Sequence, residues 1–116
     1  MRLKYLALAA AIAISLIFFI DVCGLVFGCG CRSLWAGAAE ACNVHNPEGP
    51  RCPWCAHPAA AGAVAFAAMA IVQALIVFGP GRAGLPLRFA LALVSFPLTT
   101  GLVGVVQGFL WDYWGA

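Results

Sequence analysis

The amino-acid sequence predicts an all-α membrane protein in which three transmembrane helices carry one irregular loop rich in cysteine and histidine. Of the 116 residues, 65% are hydrophobic and only 9% are charged. A soluble domain has about 45–50% apolar and about 25% charged residues. A chain this short has too little interior to hide so much apolar surface from water. The lipid bilayer is the solvent that fits this composition.

Three apolar stretches, of which the first is interrupted only by Asp21, define the helices of this single membrane domain, residues 1–116. Each is about 20 residues long, which matches a hydrocarbon core of about 30 Å crossed at about 1.5 Å per residue. Helices are expected because open strands would leave backbone polar groups unpaired in lipid. The predicted helices span residues 5–26, 59–78 and 89–111, joined by a loop at 28–58 and a link at 79–88.

The first stretch also resembles the apolar core of a signal peptide, because basic residues precede it. No convincing small-residue cleavage site follows promptly, so we expect a helix that is retained.

Basic residues indicate the orientation of the helices. Arg2 and Lys4 precede the first stretch, and Arg82 and Arg88 flank the link between the second and third. Both pairs fall on one side of a three-helix topology, and the positive-inside rule assigns that side to the cytoplasm. We therefore expect a plasma-membrane or bacterial inner-membrane protein with a cytoplasmic N-terminus. The cysteine-rich loop and the C-terminus are then extracytoplasmic.

Small and polar residues within the stretches indicate how the helices pack. Gly104 and Gly108 form a GxxxG pair, a spacing that lets transmembrane helices approach closely. This face suits internal packing, a membrane protein partner or a second copy of the chain. Pro97 predicts a kink in the third helix. Asp21 and Gln107 are expected at similar depth, where they could hydrogen-bond.

The loop between the first two helices holds the functional signal. Ser33 is expected to cap a short helix through about Cys42, and the proline-rich remainder is expected to be irregular. All six cysteines and both histidines occur in one segment: Cys23, Cys29, Cys31, Cys42, His45, Cys52, Cys55 and His57.

Two pairs in this loop have the spacing of metal ligands. Two residues separate Cys42 from His45 and Cys52 from Cys55, so both side chains of a pair can turn onto one ion, as in tetrahedral zinc sites. Soft thiolates favour Zn or Cu(I) over Mg or Ca. The predicted ligands are Cys42, His45, Cys52 and Cys55, with Cys29, Cys31 and His57 as secondary candidates. The resulting hypothesis is a non-enzymatic metal-handling protein or accessory subunit of a membrane complex.

Two alternatives remain open. Cys52 and Cys55 form a CxxC pair that can cycle between dithiol and disulfide, which would make the chain a membrane thiol–disulfide oxidoreductase. Such an enzyme would pass electrons between this pair, a second pair such as Cys29 and Cys31, and a lipid-soluble quinone. Alternatively, six cysteines outside the cytoplasm can form three disulfides that staple a small loop of a non-catalytic subunit. The net charge of +2 does not indicate a nucleic-acid partner.

Overall fold

The computed structural model describes residues 2–45, 48 and 51–114. The chain is 76% helix, and the described residues contain no strand. The all-α prediction is therefore confirmed. The α-helices are α1 (Arg2–Phe27), α2 (Pro53–Ala56), α3 (Ala63–Phe78) and α4 (Leu85–Leu110). A π-helical turn at Pro58–Gly62 leads into α3, and 3-10 turns occupy Leu34–Ala36 and Asn43–His45.

Among the described residues, three helical segments are long and apolar enough to cross a membrane. They are α1, the continuous helix Pro58–Phe78 and α4, with mean hydropathies of 2.6, 2.3 and 2.0. Helix α4 begins at Leu85, four residues before the predicted start. Pro86 is compatible with this early start because its missing N–H is not needed in the first turn of a helix. The link between the second and third spans is correspondingly shortened.

Each of the three long helices packs against the other two, and small residues form much of the contact surface. Ala11, Ala65 and Ala92 are completely buried, which lets the helix axes approach closely. Gln73 connects all three helices, since its Nε2 donates to Ser15 Oγ on α1 at 2.9 Å and to the Ala92 carbonyl on α4 at 3.0 Å. Large apolar side chains such as Leu25 and Leu110 point outwards.

Arg88 closes the link between α3 and α4. Its side chain is buried, and within the described part of the chain its guanidinium donates only to backbone carbonyls. These carbonyls belong to the end of α3 and to the link, where no further helical turn satisfies them. The acceptors are the carbonyl oxygens of Ile76, Val77, Gly79, Gly81 and Ala83, at distances from 2.6 to 3.2 Å.

Two predicted polar interactions are wrong. Asp21 does not bond to Gln107; its carboxylate accepts from the Ser33 hydroxyl instead. Ser33 is therefore engaged with α1 and forms no cap hydrogen bond. The helix expected from Ser33 to Cys42 shrinks to the 3-10 turn Leu34–Ala36 followed by turns.

The GxxxG pair of α4 receives tryptophan rings. A Cβ atom at Gly104 would lie 3.1 Å from Cζ2 of Trp54, and one at Gly108 would collide with the ring of Trp114. The pair thus makes room for side chains from α2 and from the turn after α4. Close packing here is internal to the chain.

Candidate metal centre

The six cysteines converge at one end of the helix bundle. This end contains the C-termini of α1 and α4 together with α2, which precedes the second span. Cys23, Cys29, Cys31, Cys42 and Cys52 are buried, and Cys55 is half-buried. All six cysteines are free thiols.

Cys23 lies in the last turns of α1, and the chain folds back over it immediately after the helix. Gly24 permits this approach, because a Cβ atom there would collide with the carbonyl oxygen of Cys31. Gly30 separates Cys29 from Cys31 with a φ of +95°, a conformation that favours glycine. The turn therefore presents the Cys29 and Cys31 thiols to Cys23.

The short helix α2 supplies Cys52 and Cys55. Cys52 occupies the N-cap position and Pro53 the first helical position, where proline is favoured. A separation of three residues places both thiols on one side of the helical turn. Trp54 packs away from them, stacked on Phe19 at 4.6 Å between ring centroids. Its Nε1 donates to Gln107 Oε1 on α4 at 2.7 Å, which fixes α2 against the bundle.

Asn43 joins the separate cysteine segments. Its backbone N–H donates to the Cys29 carbonyl at 2.7 Å, and its Oδ1 accepts from the Cys52 N–H at 2.8 Å. Its Nδ2 donates to the Tyr113 hydroxyl at 2.6 Å, and that hydroxyl donates to the Phe27 carbonyl at 2.7 Å. The cysteine framework is thus bonded to the ends of both α1 and α4.

The sulfur atoms approach one another closely. Cys23 Sγ lies 3.0 Å from Cys52 Sγ, 3.6 Å from Cys29 Sγ and 4.0 Å from Cys31 Sγ. Cys31 Sγ lies 3.6 Å from Cys55 Sγ. Three thiolates around one ion stand about 4 Å apart when each metal–sulfur bond is about 2.3 Å. Most of these separations are therefore close to those that a shared metal ion requires.

Three groups of three sulfurs meet this requirement. Within each group, all Sγ atoms lie within 4.8 Å of one another. Such sets of buried thiols can hold a metal ion, and sulfur ligands select soft or borderline transition metals. The groups are Cys23–Cys52–Cys55, Cys23–Cys29–Cys31 and Cys31–Cys42–Cys55.

The thiols outside the spans differ in acidity. Hydrogen bonds from the Cys23 and Cys52 thiols lower the pKa of Cys55 from 9.0 to about 4. Burial, together with a hydrogen bond to Cys29, raises the pKa of Cys31. The pKa of Cys52 is lowered by its bond to Cys23, but its bond to Cys55 and burial outweigh this and raise it overall. The hydrogen bonds of the cluster therefore favour the thiolate form of Cys55 over the thiolate forms of Cys31 and Cys52.

The predicted ligands are only partly brought together. Cys42 shares a group with Cys55, but Cys42 and Cys52 share none. His45 lies outside the three groups, and its exposed ring donates through Nε2 to the Ala39 carbonyl at 2.9 Å. His57 is also outside them and stacks on Trp111 at 5.7 Å.

Sequence reasoning missed Cys23 as a candidate ligand. Its position inside an apolar stretch associates it with the helix, whereas Cys29 and the later cysteines belong to the loop. The one available signal is its distance of six residues from Cys29, which a single turn can close. Asn43 and Tyr113 gave no comparable signal, because the two are 70 residues apart.

An apolar groove opens beside the cysteines. Its volume is about 380 Å³, and its walls come from α1, α2 and the start of the second span. Cys23 and Cys55 lie at its cysteine end, and aromatic rings line much of the remainder. The lining includes Phe19, Cys23, Trp54, Cys55, Pro58 and Phe66.

Comparison with protein-family models, curated proteins and solved structures finds no match to this chain. The chemistry of the cysteine cluster is therefore the basis for inferring a function.

Proposed function

We propose that this protein is a non-enzymatic metal-binding membrane protein whose cysteine cluster holds a soft transition-metal ion, Zn or Cu. The observation that carries the proposal is the convergence of six cysteines into three groups whose Sγ atoms lie within 4.8 Å of one another. Buried thiols gain little from hydrogen bonds, because S–H is a weak donor. Thiolate–metal bonds provide a stronger reason to gather six of them.

The ligands in this proposal are thiolates. We retain Cys29, Cys31, Cys42, Cys52 and Cys55 from the sequence prediction and add Cys23, which belongs to two of the three groups. His45 and His57 are left out of the proposed ligand set, because each makes another contact outside the groups. A ligand set drawn from one span and from the connecting segment would couple metal binding to folding of that end of the bundle.

The proposed location is the extracytoplasmic face of the membrane. Arg82 and Arg88 support this orientation, because they lie at the opposite end of the bundle from the cysteines. The ring contact between Tyr5 and Phe78, 5.0 Å between centroids, brings the N-terminus of α1 to that same basic end. At the outer face the protein would hand metal to a larger membrane complex, or present a metal-shaped surface to it.

The direct test is metal analysis of the full chain, purified in detergent under reducing, chelator-free conditions. We expect at least one Zn or Cu per chain, with cysteines protected from alkylation until a chelator is added. Cys31→Ser combined with Cys55→Ser, which breaks all three groups, should abolish retention, whereas His45→Ala and His57→Ala serve as matched controls that retain it. Six freely alkylated thiols and no retained or reconstituted metal would refute the proposal.

A second candidate function is supported by the apolar groove. The groove borders Cys23 and Cys55, and two of its walls, α1 and the start of the second span, belong to segments apolar enough to lie within a membrane. A lipid-soluble quinone has the chemistry to occupy it. In this scheme the Cys52 and Cys55 thiols form a disulfide, and their two electrons and two protons reduce the quinone to a quinol.

The two candidates respond differently to one experiment. Reduced, metal-free protein is mixed anaerobically with a short-chain quinone, and quinol and thiols are counted. The redox function predicts one quinol formed for every two thiols lost, and no reaction in Cys55→Ser. Absence of quinol in a protein that still binds metal leaves only the metal-binding function.

A further inference from the structure

We propose that the cluster is a trinuclear Cu(I)–thiolate centre in which three copper ions are bridged by Cys23, Cys31 and Cys55. This inference deepens the proposed function and rests on it. The three groups of sulfurs are not independent: each pair of groups has one cysteine in common. Cys23 belongs to the first and second groups, Cys31 to the second and third, and Cys55 to the third and first.

This sharing pattern is that of a closed ring. Each of the three common cysteines bridges two ions. Each remaining cysteine completes the coordination of one ion as its third thiolate. Every ion then has two bridging thiolates and one terminal thiolate, so six cysteines supply three complete three-sulfur sites. The terminal ligands are Cys52, Cys29 and Cys42.

The measured separations of the bridging sulfurs agree with such a ring. Cys31 Sγ lies 4.0 Å from Cys23 Sγ and 3.6 Å from Cys55 Sγ. The third side, from Cys23 to Cys55, is within 4.8 Å. Two thiolates on one three-coordinate ion stand about 4 Å apart for bonds of about 2.3 Å.

The coordination number selects copper over zinc. Structural zinc sites are almost always tetrahedral and closed by four protein ligands, and four sulfurs around one zinc would all lie about 4 Å apart. Among the described residues, no four ligand atoms meet the common limit of 4.8 Å, whereas three sets of three do. Cu(I) accepts three thiolates readily, and soft sulfur ligands favour it.

Burial and charge suit the same assignment. Five of the six cysteines are buried, which shields Cu(I) from water and oxidants. Loading displaces the remaining thiol protons, so that six thiolates hold three Cu(I) ions with a net charge of −3 on the cluster and no change in oxidation state. Arg32 directly follows Cys31 and Arg51 directly precedes Cys52 in the chain, so two basic residues adjoin the cysteines in sequence.

The test is an anaerobic titration of the reduced, metal-free chain in detergent with Cu(I), in competition with a chromophoric Cu(I) chelator. We expect three Cu(I) per chain by native mass spectrometry. X-ray absorption should give three sulfur neighbours per copper and a copper–copper scattering path. A mononuclear site lacks that path.

Variants test the ring itself. Cys42→Ser removes a terminal ligand of one group, and we expect the capacity to fall from three ions to two. Cys31→Ser removes a bridge shared by two groups, and we expect it to fall from three ions to one. His45→Ala should still bind three. Circular dichroism of each variant identifies any loss of helix.

The copper stoichiometry of the wild-type chain tests the trinuclear centre independently of how the variants fold. Saturation at one or two copper ions, or copper without a copper–copper path, overturns the trinuclear centre while leaving thiolate metal binding intact. No copper or zinc bound by the reduced wild-type chain overturns both proposals.

Discussion

The two ends of the helix bundle both bury polar groups, but they satisfy them in opposite ways. At the basic end, Arg88 directs its guanidinium onto five backbone carbonyls. At the other end, five of the six thiols lie within 4.0 Å of another thiol. The hydrogen bonds to these carbonyls explain why the Arg88 guanidinium can be buried. The described thiols reach oxygen acceptors only at 3.8 Å, from Cys29 to the Cys23 carbonyl and from Cys42 to Asn43 Oδ1, and the proposed metal would supply the stronger partner.

This contrast predicts that the basic end determines stability and the cysteine end determines metal binding. Three substitutions separate the two roles, in order of decreasing effect on the free energy of unfolding.

Arg88→Met should have the largest effect on stability. The substitution keeps an unbranched side chain but removes every donor to the carbonyls at the end of α3, and hydrogen bonds to charged groups contribute about 1.5–3 kcal/mol each. Because some carbonyls at a helix end regain water, we expect a net loss of about 3 kcal/mol. Unfolding in mixed detergent micelles measures it. Metal stoichiometry should not change.

Arg82→Met is the matched control, since Arg82 is exposed in the same link. Its effect should be within about 0.5 kcal/mol. An Arg82 effect as large as that of Arg88 would show that charge at this end, rather than the carbonyl contacts, is responsible.

Gly104→Ala should have an intermediate effect, because the added methyl group meets Trp54 Cζ2 at 3.1 Å and Val26 Cγ1 at 3.3 Å. Overpacking of this kind costs about 1–3 kcal/mol. It also displaces α2, which carries Cys52 and Cys55, so metal affinity should fall. Both quantities are measured on the same preparation by unfolding and by chelator competition.

Gly101→Ala on the same helix is the control, because nothing lies within 4 Å of its added Cβ. Alanine stabilises a helix relative to glycine by about 0.5–1 kcal/mol. Equal effects at Gly101 and Gly104 would contradict the packing of Trp54 on α4.

The sequence was sufficient for the spans and for the cysteine segment, because both depend on composition along the chain. Twenty apolar residues define a helix in lipid without knowledge of their neighbours. The ends of the helices were less predictable. Composition assigns Arg88 to the link, but α4 already begins at Leu85 because the Arg88 side chain bonds to carbonyls at the C-terminus of α3.

The arrangement of the candidate site was not predictable from spacing. Cys42 and Cys52 each belong to a plausible ligand pair, yet they fall in different groups. The grouping depends on the fold of the Cys29–Gly30–Cys31 turn over α1 and on Asn43, which bonds to Cys29, Cys52 and Tyr113. These contacts join distant parts of the chain, and local spacing does not encode them.

Tyr113→Phe should have the smallest effect on stability and a clear effect on metal binding. The change removes the hydroxyl that accepts from Asn43 at 2.6 Å and donates to Phe27 at 2.7 Å, but it keeps the ring that packs on Phe27. The two lost neutral hydrogen bonds together cost about 1–2 kcal/mol. Because Asn43 also holds the Cys52 backbone, metal affinity should fall about 10-fold or more, as for other groups that orient ligands.

Tyr5→Phe, at an exposed tyrosine of the basic end, is the control and should alter neither stability nor metal affinity. If Tyr113→Phe leaves metal affinity unchanged while lowering stability, the hydroxyl supports the bundle but does not position the cysteines.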